Sequence, residues 1–230
     1  GDDSRIVIID PQTGTVEWTI ENDQIVSVSG LAVYAGPNGL RIVSVGYDLL
    51  ARFCIMIRNL QTGTVEQTIE HAHSFWIWSV SVYQGPDGPR VVSAGADERI
   101  VISDPGTGTV ERTVEDAHTD RINSVAVYEG PNGPRIVSVG NDERIVISDP
   151  QTGSIERVLE GAHTSSIYSI AVYGEPDGPR IVSVGHDERI VISDPRNGEV
   201  ERTIKGTYMG HMSSVAVYIS PEGLRIVAVV

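Results

Sequence analysis

Apolar residues along this chain of 230 residues fall in short runs, each cut off by a turn signal. Residues 122–163 show the pattern: INSVAVYEGPNGPRIVSVGNDERIVISDPQTGSIERVLEGAH. The runs SVAVY, RIVSVG, RIVISD and SIERVL are rich in Val and Ile, which suit a pleated backbone, and each is too short for a helix. Between them stand Gly-Pro-Asn-Gly, Gly-Asn-Asp and Pro-Gln-Thr-Gly. Pro presets φ, Asn and Asp tolerate a turn, and Gly accepts positive φ. The spacing predicts four strands, a (122–128), b (135–140), c (144–149) and d (154–160), joined as an antiparallel meander.

The unit recurs. The Tyr closing strand a returns as Tyr34, Tyr83, Tyr128, Tyr173 and Tyr218, the last three intervals being 45 residues and the first 49. The longer interval comes from four extra residues within 47–60. A period of about 40–45 residues with four strands each predicts the blade of a β-propeller. The chain starts at strands c and d (5–10, 15–20) and stops at strands a and b (212–218, 225–230). Pairing these two halves predicts one all-β domain, 1–230, of five four-stranded blades, with the ring closed by the N-terminal c and d strands against the C-terminal a and b strands. The blades are expected at 26–70, 76–115, 121–160, 166–205, and 211–230 with 4–20. Closure would remove the exposed edges of an open array.

Certain polar positions recur in phase. A His precedes strand a (His73, His118, His163) and a Ser lies in strand b (Ser44, Ser93, Ser138, Ser183). An Asp sits in the b–c turn (Asp48, Asp97, Asp142, Asp187, with Asp3 in phase). Asp or Asn closes strand c (Asp10, Asn59, Asp104, Asp149, Asp194). In these residues the chain resembles the WD-repeat propellers over essentially its whole length. The family's Trp-Asp pair is here Ser-Asp (Ser103, Ser148, Ser193), Ile9-Asp10 or Arg58-Asn59. Gln24 and Tyr208 replace the His in two units, and Ala228 replaces one Ser. The resemblance implies a reduced Asp–His–Ser network in the regular blades and altered packing in the others.

Net charge is −14, which repels phosphate backbones and anionic lipid surfaces. Nucleic acid and membrane are therefore not expected as ligands, and a neutral or basic partner is. Hydrophobic content of 40% describes a soluble globular chain, and no run approaches the roughly 18 apolar residues of a membrane helix. Cys54 is the single cysteine, so no intramolecular disulfide forms, which is compatible with a reducing, cytoplasmic setting.

Positions held constant between units serve the shared fold, and positions that change beside them are free to serve binding. The b–c and d–a connections lie on one side, the top. Before the b–c Asp stand Asp2, Tyr47, Ala96, Asn141 and His186. At the start of strand a stand Ser27, Trp76, Arg121, Ser166 and His211, and two residues on Ser29, Trp78, Asn123, Tyr168 and Ser213. The resemblance implies that such places contact partners, and Trp, Tyr and Arg are hot-spot residues. Tyr47, Trp76, Trp78, Arg121, Asn123, Asn141, Tyr168, His186 and His211 are the expected partner-binding set.

Asp, His and Ser together could suggest nucleophilic catalysis, but near-identical copies in several units point to a structural network. His71 with His73, and Met209 with His211 and Met212, offer metal-ligand chemistry, yet they fall in units that are not neighbours. Repeated acidic residues, Glu98, Glu143 and Glu188 among them, fit a solvated face better than a paired-carboxylate glycosidase site. No catalytic residue, metal or cofactor is expected. The expectation is a non-enzymatic scaffold that binds a protein or peptide. The alternative is a lectin-like multivalent carbohydrate binder with one equivalent site per blade.

Overall fold

The computed structural model describes residues 5–21, 25–205, 211–220 and 223–230. Among the described residues every regular element is a β-strand. Asp2, Asp3, Gln24, Tyr208 and Met209, singled out above, lie outside them.

Four sheets of four antiparallel strands follow one another along the chain. Blade 1 is β3 (Ile25–Gly36), β4 (Gly39–Asp48), β5 (Phe53–Asn59) and β6 (Val65–Glu70). Blade 2 is β7 (Ile77–Gly85), β8 (Gly88–Gly95), β9 (Ile100–Asp104) and β10 (Thr109–Val114). Blade 3 is β11 (Ile122–Gly130), β12 (Gly133–Gly140), β13 (Ile145–Ser148) and β14 (Ile155–Leu159). Blade 4 is β15 (Ile167–Glu175), β16 (Gly178–Gly185), β17 (Arg189–Ser193) and β18 (Val200–Lys205). Two half-blades flank them, β1 (Ile6–Ile9) with β2 (Val16–Ile20), and β19 (Ser214–Ser220) with β20 (Gly223–Val229).

Strand a runs further than the pattern predicts. In blade 3 the ladder continues to a Gly130–Gly133 rung, leaving Pro131 and Asn132 as a two-residue turn. Gly133 takes φ 103°, a backbone state open to glycine and costly for other residues.

Strands b and c read as near-continuous Val and Ile because both faces of each blade are covered. Val92, Ala94, Ile100 and Ile102 of blade 2 pack with Ile122, Val125, Ile136 and Val146 of blade 3 in one buried slab. Equivalent slabs lie between blades 1 and 2 and between blades 3 and 4. The half-blades join the same series. Ile6 and Ile20 pack on Ile42 of blade 1, and Met212 and Val215 pack on Val182 and Val184 of blade 4. A belt of serines ties neighbouring inner strands. Ser79 Oγ accepts from Val125 N at 3.0 Å, Ser124 Oγ from Ile170 N at 3.4 Å, and Ser169 Oγ from Val215 N at 3.2 Å.

The two half-blades remain separate sheets. Among the described residues no ladder joins β20 to β1 and no closed sheet is found.

The reduced Asp–His–Ser network is present in blades 2, 3 and 4. His73 Nδ1 lies 2.9 Å from Asp97 Oδ1 and its Nε2 2.8 Å from Ser93 Oγ. His118 with Asp142 and Ser138, and His163 with Asp187 and Ser183, repeat these distances. The second Asp oxygen accepts the backbone N–H after the histidine, from Ser74, Thr119 and Thr164. The network thus clamps the d–a connection onto the b–c turn and fixes the top of each blade. Its serines are fully buried, so none of their hydroxyls meets a substrate. Ser103, Ser148 and Ser193, standing where the resemblance expects Trp, are also buried, with hydroxyls that find no hydrogen-bond partner among the described residues.

Burial raises the carboxyls of Asp97, Asp142 and Asp187, but hydrogen bonds from the partner histidine and from backbone N–H groups reverse this and hold them below the usual 3.8. Burial also pulls His163 below the usual 6.5, against the opposing pull of Asp187. Unfolded His163 therefore protonates at a higher pH than folded His163. Its contribution is complete above 6.5 and declines as pH falls from there. The carboxylate contribution is present above 3.8 and is lost as pH falls through the lower folded values.

Two outcomes follow from this packing. The melting temperature should fall in two stages on acidification, a first below pH 6.5 and a second below 3.8, and His163→Ala should cost about 3–5 kcal/mol at neutral pH by stranding the buried Asp187 carboxylate. Denaturant titration of the variant, and thermal melts across pH, measure both; a flat profile between pH 7 and 5 would contradict the first. The second outcome concerns Gly140, where a Cβ would lie 2.6 Å from Arg121 O, the acceptor of Asn141 N. Gly140→Ala should cost about 1–3 kcal/mol by calorimetry. Gly174→Ala, with open space around it, should change stability little.

Candidate functional site

Each b–c turn sits beside the start of a strand a. Ala96 N donates to Trp76 O, Asn141 N to Arg121 O and His186 N to Ser166 O, at 2.7, 3.0 and 2.9 Å. This backbone contact brings the variable positions of a blade onto one surface and next to those of the following blade.

The nine expected residues form three groups. In the first, Trp76 stacks on Trp78 with ring centroids 5.6 Å apart and planes at 8°, and Tyr47 meets Trp76 edge-on at 4.7 Å. In the second, Asn123 Nδ2 donates to Asn141 Oδ1 at 2.9 Å and to Ile167 O of blade 4 at 2.8 Å. Turned the other way, the Asn141 amide gives up that bond from Asn123 and its oxygen accepts instead from Arg121 Nε at 2.6 Å. In the third, His186 stacks on His211 at 3.7 Å and 18°, and Tyr168 approaches His186 edge-on at 6.3 Å. The surface therefore passes from aromatic, through amide and guanidinium, to imidazole as the chain advances from blade 1 toward β19.

The first group is larger than its sequence signal. Phe53 lies 5.8 Å from Trp76, and Phe75 lies 5.6 Å from Phe53. Both phenylalanines of the chain and two of its three tryptophans thus meet in one corner. Phe75 and Trp78 are exposed there. Leu49 and Leu50, inside the longer blade 1 unit, are largely exposed close by in the chain. Two signals pointed at Phe53 and Phe75: Phe53 lies in the one irregular c strand, and Phe75 is adjacent to Trp76. Comparing units at matched positions misses Phe53 because the insertion leaves it without a clear counterpart. Trp18, exposed on β2, belongs to none of these groups.

The longer unit is held by Asp48, which has no network histidine among the described residues. Its Oδ1 accepts from Leu50 N and Arg52 N, both at 2.9 Å, and its Oδ2 accepts from Arg52 Nε at 2.8 Å. The Arg52 backbone N–H, foremost among these bonds, holds the Asp48 carboxyl below the usual range. Arg52 also reaches Glu70 at 3.1 Å. A cleft of about 360 Å³ opens here between Leu49, Leu50, Cys54, Met56 and Glu70. Burial pushes the Cys54 thiol up to about 11, so it stays a thiol at neutral pH and is a poor nucleophile.

The histidine pairs do not gather as ligands. His73 is buried in its Asp–Ser network, whereas the His71 side chain is 87% exposed beside Glu70. His211 is exposed and Met212 buried. Among the described residues no group of three or more His, Cys, Asp or Glu is placed to hold a metal ion.

Comparison with known proteins bears on this arrangement. The family model described as WD domain, G-beta repeat matches residues 63–104 and 153–194. Both matches open at the glycine before a strand d and close at the acidic residue ending a strand c. A search of curated proteins finds no match. Among solved structures, the chain is similar to the WD40 β-propeller domain of Doa1, at 24% identity and a TM-score of 0.76, over 99% of this chain and 69% of that one. Repeated four-stranded sheets, the His–Asp–Ser network and these matches agree: the chain carries WD40 repeats at residues 63–104 and 153–194 and has the fold of WD-repeat propeller blades.

Proposed function

We propose that the chain is a non-enzymatic binding platform that captures a protein or peptide through its top surface. The observation that carries this reading is the aromatic corner of Tyr47, Phe53, Phe75, Trp76 and Trp78. Large rings are costly to leave exposed in a contiguous patch, and such patches mark interaction surfaces. The rigid blades hold these rings in place, so little side-chain entropy is lost on contact. Arg121, Asn123 and Asn141 supply hydrogen-bonding groups next along the surface, and Tyr168, His186 and His211 supply imidazole and phenol beyond them. A partner with an apolar or aromatic anchor and a neutral or basic flank fits this order, given the net charge of −14. The buried network serines and the raised Cys54 thiol offer no activated nucleophile, which favours binding over turnover.

Selection from a random peptide library on the wild-type chain tests the reading. Enriched peptides should carry aromatic or basic residues. Trp78→Ala should weaken them by about 2 kcal/mol or more, roughly 30-fold, while Trp18→Ala leaves them unchanged. Thermal melts of both variants should match wild type within a few degrees. Equal binding by the Trp78 and Trp18 variants would reject the aromatic corner as the anchor.

A further inference from the structure

Acidic residues keep to the outer part of the top surface. The chain holds 31 Asp and Glu among 230 residues, yet the three variable positions at the top of each blade carry none of them among the described residues. Carboxylates stand just outside. Glu98, Glu143 and Glu188 follow the network Asp in the b–c turns, and Glu115 and Glu160 follow strand d. The arginines of this outer part are paired: Arg99 lies 4.0 Å from Glu115, Arg144 3.5 Å from Glu160 and Arg189 3.7 Å from Asp187. Arg121, exposed at the start of strand a, is different. Among the described residues no carboxylate pairs with its guanidinium, and the adjacent Asp120 turns to the backbone, accepting from Arg121 N at 2.6 Å.

Arg121 also sits in a cluster that is rich in donors. A guanidinium only donates, and each Asn amide brings one acceptor oxygen and one donor group. Asn123 Nδ2 donates to Asn141 Oδ1 at 2.9 Å and to Ile167 O at 2.8 Å. Arg121 Nε and Nη2 reach the same Asn141 amide at 2.6 and 3.2 Å. Its oxygen can face Asn123 or Arg121, not both. Whichever way the amide turns, its Nδ2 faces another donor, Arg121 Nε one way and Asn123 Nδ2 the other. One more acceptor from outside resolves the conflict, because it draws the guanidinium off the amide and leaves Asn141 Oδ1 to Asn123. The cluster lies between rings. The Ser79–Val125 bond sets its strand beside the one that carries Trp76 and Trp78, and the Asn123–Ile167 bond ties it to blade 4 next to Tyr168.

We propose that Arg121, with Asn123 and Asn141, receives a carboxylate of the partner peptide, an Asp or Glu side chain or a free C-terminus, next to the apolar or aromatic residue that rests on Trp76 and Trp78. The proposal rests on the binding-platform reading above and names the group that the platform selects. Guanidinium and carboxylate match as a planar fork of charge-assisted hydrogen bonds, which are roughly twice as strong as neutral ones. A single cation among neutral amides balances one negative charge. It therefore suits a carboxylate better than a doubly charged phosphate, which the net charge of −14 repels more strongly. Neutral or basic residues flanking that carboxylate meet Glu98 and Glu143, so the acidic rim and the donor centre together set the charge pattern of the ligand.

Random peptide libraries with free and with amidated C-termini, selected on the wild-type chain, supply the probes. Enriched peptides should carry a carboxylate close in sequence to an aromatic or large apolar residue. Exchanging Asp or Glu for Asn or Gln, or amidating a terminal carboxylate, tells the two sources apart and should weaken binding to wild type about tenfold or more. The same exchange should change binding to Arg121→Gln less than about twofold, because the cation that reads the carboxylate is already gone. Arg121→Lys should fall between, keeping the charge and losing the fork. Peptides that bind Arg121→Gln as tightly as wild type, while still needing Trp78, overturn the carboxylate site and leave the platform standing. Peptides indifferent to both residues, or no enrichment at all, overturn the two together. Tighter binding when phosphoserine replaces the acidic residue also overturns the proposal, in favour of a phosphate ligand.

Discussion

Every sheet in this molecule has two apolar faces, and each needs a neighbouring sheet to cover it. That requirement explains the repeat. A blade with Val or Ile on both sides of strands b and c cannot stand alone in water, and the cheapest neighbour is another blade of the same shape. The result is a row of buried slabs in place of one central core, with Ile100 and Ile102 facing Ile122 and Ile136 in one slab and their counterparts repeating the arrangement in the next. The serine belt of Ser79, Ser124 and Ser169 adds hydrogen bonds between the a strands of neighbouring blades, which no ladder joins.

The same arrangement separates framework from surface. The His–Asp–Ser network works below the top of blades 2, 3 and 4, on side chains that are almost entirely buried. Once it has clamped a turn to the following connection, the residues just above are released from packing duties. Asn141 and His186 occupy one such position, and Trp76 and Arg121 another. Their differences give the surface its polarity from aromatic to imidazole. Blade 1 departs furthest. There Asp48 turns away from the network role and folds the insertion around Arg52, and the aromatic corner grows beside it.

Much of this was legible in the residues themselves. Turn chemistry and the Val and Ile runs determine the strands, because a short β-branched segment between Gly and Pro has few other options. The recurrence of Tyr34 to Tyr218 determines the blades, and the recurrence of His, Asp and Ser determines their internal network. The grouping of nine variable residues into three sets was not legible, since it depends on which turn touches which strand across a blade junction. Phe53 and Phe75 joined the corner through packing around an insertion, and a repeat pattern carries no information where the pattern breaks. Whether the two half-blades meet was also decided only in three dimensions. Complementary edges follow from phase, but the angle between successive slabs sets the curvature of the row, and that angle comes from side-chain packing summed over every junction.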